Sequence, residues 1–201
     1  SPGMGGNGEA RSIEETAAQR ALFPEPQGRE ESPGEVAQLQ GFGQVVTRKK
    51  GPVKARNAAQ HTGLAAIADD AGLCVDAMGG LPGVDTAYYC TQFGYDKTDY
   101  NNRRAVLEQM QGQTNRRAAL VSTIVAVRSV QDPEPLIASG RVVAELTREP
   151  VGEHGFGFDP VMFIPSLGKT LAQLDPAHKN TISHRGQAAR QMVQLIRERW
   201  L

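Results

Sequence analysis

Residues 118–130, AALVSTIVAVRSV, crowd β-branched side chains into one run, and a second run, IASGRVVAELTRE over 137–149, follows a short link containing QDPEP. β-Branched residues suit a pleated, half-buried surface better than a helix. Two strands joined by so short a connection must pair antiparallel. The chain therefore builds a sheet that is not purely parallel, whatever surrounds this hairpin. Helical patterns flank it. Pro52 in a first helical position, followed by VKARNAAQHTG, predicts a helix ending near Gly63. Asp99 and the following YNNRRAVLEQMQG predict a helix that buries Val106, Leu107 and Met110 and stops at Gly112. At the C-terminal end Ser183 is placed to cap a helix whose Ala188, Ala189, Met192, Val193, Ile196 and Trp200 form an apolar stripe for core packing. LAAIA, GLCVDAM and PVMFIP read as further strands, the second leading into a GGLPG turn. The expected class is α/β, with a long mixed β-sheet flanked by helices.

The first 47 residues read differently. SIEETAAQRALF pairs Ser12 with Glu15 in a capping-box pattern and suggests a short helix. FPEPQGREESPGE, over 23–35, has little to bury and reads as a mobile or disordered loop. Across all 201 residues, 22 basic and 22 acidic side chains cancel, which argues against general affinity for nucleic acid or an acidic membrane. An anionic ligand must then be held by a local cluster. No apolar run approaches the ~18 residues of a membrane span, and SPGMGGNGEA lacks the apolar stretch of a signal peptide. Two cysteines, Cys74 and Cys90, offer neither a disulfide framework nor metal spacing, which suits a reducing cytoplasm.

Four stretches can carry chemistry. In AAIADDAGL the adjacent carboxylates Asp69 and Asp70 close an apolar run. A straight strand would point them to opposite faces, but a turn begun at Gly72 would let both reach one cleft. A strand-end carboxylate pair suits a hard cation such as Mg²⁺, and a solvated turn is the plainer alternative. In GEHGFGFDP (152–160) glycines flank Phe156 and Phe158 ahead of Asp159. An aromatic on such a loop can stack on a flat base while the carboxylate reads donors on its edge, unless both rings are simply core. HKNTISHRG (178–186) gathers Lys179, His184 and Arg185 near a helix start, a site for an anion or a carbonyl oxygen or else a solvated cluster. Lys54 lies on the helix before the aspartate strand and is placed to face the same cleft, although most helical lysines are merely solvated.

Taken together, AIADDAGLCVDAMGGLPGV, TREPVGEHGFGFDPVMFIPSLGKTLAQL and KNTISHRGQA resemble, in order and spacing, the non-canonical purine nucleoside triphosphate pyrophosphatases, from about Lys54 to Arg197. The resemblance implies an α/β fold with a long mixed sheet and two lobes around a cleft, assembled as a homodimer. It implies Mg²⁺-dependent hydrolysis of ITP, dITP and XTP to the monophosphate and pyrophosphate in the cytoplasm, with no nucleic-acid or membrane partner. It makes Asp70 the catalytic carboxylate with Asp69 in support, both as metal ligands. It places Lys54 and Lys179 on phosphate and substrate, Phe156, Gly157 and Phe158 in a base-stacking loop, and Asp159, His184 and Arg185 among the base-reading groups. Asn7 matches the asparagine of a phosphate loop, and Ala71 falls at a substrate-contacting position.

The chain also departs from that pattern. The phosphate-loop lysine is Ala10, with Arg11 beside it, and the glutamate of a metal-binding Glu-Asn-Ala becomes Lys49, followed by Lys50 and Gly51. The serine after the paired aspartates is Ala71, and an arginine position is Tyr88. Residues 1–47 are accordingly read as a divergent or partly disordered segment and 48–201 as the pyrophosphatase domain. Two other readings remain: a purine-nucleotide-binding relative with weakened catalysis, favoured by Ala10 and Lys49, and a pyrophosphatase for modified pyrimidine nucleotides, which a purine-stacking Phe156 argues against.

Overall fold

The computed structural model describes residues 42–201. The helix expected after Ser12, the loop over 23–35, Asn7, Ala10 and Arg11 lie outside the described residues, as does the side chain of Lys49. Within them the chain folds as α1 (Phe42–Thr62), β1 (Ala66–Val75), β2 (Pro82–Gly83), α2 (Asp99–Gln109), β3 (Arg117–Val127), β4 (Leu136–Leu146), β5 (Met162–Ile164), β6 (Lys169–Thr170), α3 (Pro176–Ile182) and α4 (His184–Arg199). The class is α/β, as expected. The sheet order is β2-β1-β3-β4-β5-β6. Every pairing among the described residues is antiparallel rather than mixed.

The hairpin is the centre of the fold. β3 pairs β4 from Ala126 with Leu136 to Arg117 with Glu145. Every residue of β3 from Ala118 onward is buried, because a helix covers each face, and a strand covered on both sides reads as one continuous apolar run. On one face, Ala55 and Ala59 of α1 pack on Val125 and Val127. Gly51 allows that approach, since a Cβ there would stand 2.7 Å from a Val125 methyl. On the other face, Ala188 and Met192 of α4 pack on Ile124, Ala126, Leu136 and Ala138. The α4 stripe is narrower than expected: Ala189 and Val193 are exposed.

Two expectations need correction. Pro52 does not open α1 but lies inside it. A proline in mid-helix forfeits one backbone hydrogen bond, and the heuristic that places it in the first turn missed the helix before it. The end at Gly63 is as expected, in a left-handed conformation with its N–H donating to Ala59. Secondly, LAAIA and GLCVDAM are not two strands: β1 runs unbroken through Asp69, Asp70 and Gly72, in register with β3 throughout. Gly72 is not a turn residue. A Cβ there would collide with the carbonyl of Gly83 on the neighbouring β2, so close strand approach, not turning, explains the glycine.

Helix α2 is capped by Thr98, whose hydroxyl accepts from the Asn101 N–H at 3.0 Å; it buries Val106, with Met110 buried just past its end and Leu107 only partly buried. The first turn of α4 is drawn tight against β4: Gly140 has no room for a Cβ against the His184 carbonyl. Gln187 and Gln191 accept from the Arg141 and Ser139 N–H groups. These contacts set where His184 and Arg185 stand.

Candidate active site

Because β1 is a straight strand, its neighbouring aspartates diverge. Asp70 sits on the face covered by α1, where it forms an ion pair with Lys54. Its other oxygen, Oδ2, is buried with no hydrogen-bond partner. Asp69 sits on the opposite face, accepting from the Ser122 hydroxyl at 2.7 Å and from Arg185 Nε at 2.7 Å. The expectation that a turn at Gly72 brings both carboxylates into one cleft is therefore corrected. Among the described residues no three His, Cys, Asp or Glu side chains are grouped to hold a metal.

On the Asp69 side lies a cavity of about 570 Å³, walled by the 154–159 loop and the α3–α4 junction. A smaller one of about 200 Å³, reaching Ala71, shares Phe156, Asp159, His184 and Arg185 with it. Phe156 is 60% exposed, whereas Phe158 is 5% exposed and belongs to the main core. Of the two rings, then, Phe156 is open to a ligand and Phe158 anchors the loop. Lys179 Nζ and the Arg185 guanidinium stand 4.8 and 5.2 Å from the Phe156 ring centre, within the range of cation–π attraction. Asp159 accepts from Lys179 Nζ at 2.5 Å and from the Phe156 N–H at 2.8 Å through the same oxygen. Gly155, at φ +81°, is obligatory here, because a Cβ would strike that carboxylate.

His184 is 8% exposed, and its Nδ1 is buried without a partner. Burial, reinforced by the adjacent Arg185 charge, pushes its imidazole down to about 4. It is therefore neutral at pH 7 and holds unused hydrogen-bonding capacity against the cavity.

The structure thus groups Asp69, Ala71, Phe156, Gly157, Phe158, Asp159, Lys179, His184 and Arg185 around one pair of cavities. It leaves Lys54 and Asp70 on the other face of β1. Sequence reading missed Ser122, which holds Asp69, and Asp99 and Arg103 of α2, which bond the Gly157 peptide. Their partners lie 53 to 58 residues away in the chain. The only local signal was the i, i+4 spacing of Asp99 and Arg103 on one helix face.

The sequence profile of the Ham1 family matches residues 44–195, spanning β1, the glycine–aromatic loop and the α3–α4 junction. The chain belongs to the Ham1 family. Among its relatives, a dITP/XTP pyrophosphatase of Delftia acidovorans is 68% identical over 148 residues, 74% of each chain. One of Albidiferax ferrireducens is 70% identical over 148 residues, again 74% of each. A solved HAM1 protein from Coxiella burnetii superposes with a TM-score of 0.70 at 33% identity, covering 97% of this chain and 96% of that one. The Ham1 protein of Staphylococcus aureus gives 0.69 at 28% identity, with coverage of 97% and 96%. These Ham1 neighbours share the α/β architecture described above.

Proposed function

We propose that this Ham1 chain hydrolyses aberrant purine nucleoside triphosphates (ITP, dITP and XTP) to the monophosphate and pyrophosphate, clearing them from the nucleotide pool. One observation carries the reading: an exposed aromatic ring, a buried neutral histidine and a carboxylate-held arginine converge on one cavity. It is supported by relatives named dITP/XTP pyrophosphatase. The purine stacks on Phe156. Asp69 engages only Nε of Arg185, which leaves the terminal N–H groups for the ligand. Hypoxanthine and xanthine present an oxygen at position 6 that accepts from them. Adenine presents an amino group, so two donors would face each other unpaired, which a partly dry site penalises strongly. His184, Lys179 and Asp159 complete the base-reading wall.

On the other face Asp70 acts as the base. Its carboxylate takes a proton from water as the water oxygen bonds to the α-phosphorus and the bond to the bridging oxygen breaks, releasing pyrophosphate. Lys54 exchanges its ion pair with Asp70 for the phosphates, and Asn7 is assigned to the same phosphate group. The unpartnered, buried Oδ2 of Asp70 fits a hard cation, and a Mg²⁺ held there would offset charge on the leaving pyrophosphate. Asp69 is reassigned from the metal to the orientation of Arg185. The reading takes 48–201 as the catalytic domain. It also carries a homodimer and a cytoplasmic location, to which two buried cysteines outside any disulfide, Cys74 and Cys90, are suited.

A second reading, nucleotide binding without turnover, is favoured by the Lys54–Asp70 ion pair, which occupies one carboxylate oxygen, and by Ala71 in place of a serine. Pyrophosphate release from dITP, dATP and dGTP, each with Mg²⁺ and with chelator, separates the two. Mg²⁺-dependent release selective for dITP is the outcome expected of the enzyme. Tight dITP binding with no release would establish the second reading instead.

A further inference from the structure

The loop that presents Phe156 is tied from within by Asp159, which accepts from the Phe156 N–H, and by the buried Phe158 ring, but its two glycines leave it backbone freedom. Gly155 and Gly157 both adopt positive φ, at +81° and +58°, and glycine backbones lose the most freedom on ordering. The Phe156 ring is mostly exposed and packs on little besides two cations. What fixes the loop from behind is α2. Asp99 and Arg103, one turn apart on the same helix face, bond the two ends of one residue: the Gly157 N–H donates to Asp99 Oδ2 at 2.8 Å, and Arg103 Nη1 donates to the Gly157 carbonyl at 2.6 Å. Both bonds are charge-assisted, and so stronger than neutral ones. Helix α2 is itself rooted in the core through Ala105 and Val106, and through Met110 at its C-terminal end. Arg103 further holds its Nε buried without a partner, a cost its one bond to the loop must outweigh.

We infer that Asp99 and Arg103 are positioning residues, a two-point clamp on Gly157 that pre-organises Phe156 for stacking on the purine. The inference rests on the base-stacking role proposed above for Phe156. Arg103 lines neither cavity, and Asp99 reaches only the smaller one, with its Oδ2 already engaged by the Gly157 N–H. Releasing the clamp lowers the fraction of loops in the stacking conformation and weakens the apparent affinity by that fraction. All stacked purines then suffer equally, because Arg185 and His184, which read the base edge, are untouched.

The test compares wild type with Arg103→Met, Arg103→Lys, Asp99→Asn and Phe156→Ala. Amide hydrogen exchange over 153–158 reports the clamp whatever the ligand, and calorimetry with dITP in chelator reports affinity without turnover. Arg103→Met should speed exchange in the loop, weaken dITP about tenfold, and raise KM for dITP and dATP by the same factor with kcat kept. Arg103→Lys and Asp99→Asn, which retain a donor or an acceptor, should recover most of that loss. Unchanged exchange in Arg103→Met would overturn the clamp, as would a loss of thermal stability with unchanged KM. Faster exchange while neither Arg103→Met nor Phe156→Ala alters dITP binding would instead sink the stacking role on which the clamp rests.

Discussion

The two faces of β1 carry the same residue type at adjacent positions and do opposite things with it. Asp70 faces α1, is paired with one lysine and keeps a buried oxygen without a partner. Asp69 faces the cavity with both oxygens engaged, one by Ser122 and one by Arg185. A carboxylate whose lone pairs are already taken orients its neighbours, while one with an unsatisfied oxygen is available to a cation or a proton. In the proposed mechanism, the strand alternation that separates the pair by one residue also separates binding the base from breaking the phosphate bond.

That division is broken most directly at Asp70. Asp70→Asn should lower kcat by about 10³-fold, in the range of a lost general base, with dITP affinity in chelator little changed. A variant retaining near-normal turnover in pyrophosphate assays would remove Asp70 from the chemistry. On the other face, Arg185→Ala should raise KM for dITP some tens of fold, as expected for a lost charged hydrogen bond, and leave dATP nearly untouched. Equal shifts for both nucleotides would show that Arg185 does not read position 6. Lys54→Met sharpens the contrast further. It should weaken dITP about tenfold but not dIMP, measured by competition, because in the proposed binding mode only the triphosphate reaches the α1 side.

The smallest effect concerns protons. His184 titrates near 4 in the folded protein against about 6.5 when unfolded. Between those values the unfolded chain binds more protons, so this contribution to stability is full above pH 6.5 and is lost as pH falls towards 4. Wild type should lose about 1 kcal/mol from this residue between pH 7 and pH 5.5, measured as the difference in urea unfolding from His184→Gln. An identical pH slope in both proteins would contradict the buried neutral imidazole. Asp132 contributes outside that window: its carboxylate, bonded by the Arg128 guanidinium and by two backbone N–H groups, is held well below the usual range.

Local signals made much of this legible. The β-branched run and the proline link declared the β3–β4 hairpin, Asp99 and Gly112 bracketed α2, and Ser183 capped α4. Errors fell where tertiary contacts gave a residue a meaning that its neighbours in sequence do not carry. Gly72 and the charges before it mimic a turn, yet the glycine exists because β2 presses against β1. Val193 repeats at helical spacing but faces outward, since only part of that helix face meets β3 and β4. Phe156 and Phe158 look equivalent in sequence, and burial alone separates the anchor from the exposed ring. Ser122, Asp99 and Arg103 act across more than fifty residues of chain, so no window of sequence shows them at work.

In the proposed mechanism Asp69 serves the base and Asp70 the phosphates, and a Mg²⁺ titration of dITP hydrolysis in wild type and Asp69→Asn, with KM determined at saturating metal, tests that division. The division of labour requires an unchanged Mg²⁺ concentration for half-activation and a KM for dITP raised up to about tenfold as Arg185 loses its carboxylate. A half-activation point displaced tenfold or more with KM unaltered would place Asp69 on the metal after all, and the two faces would no longer be separate.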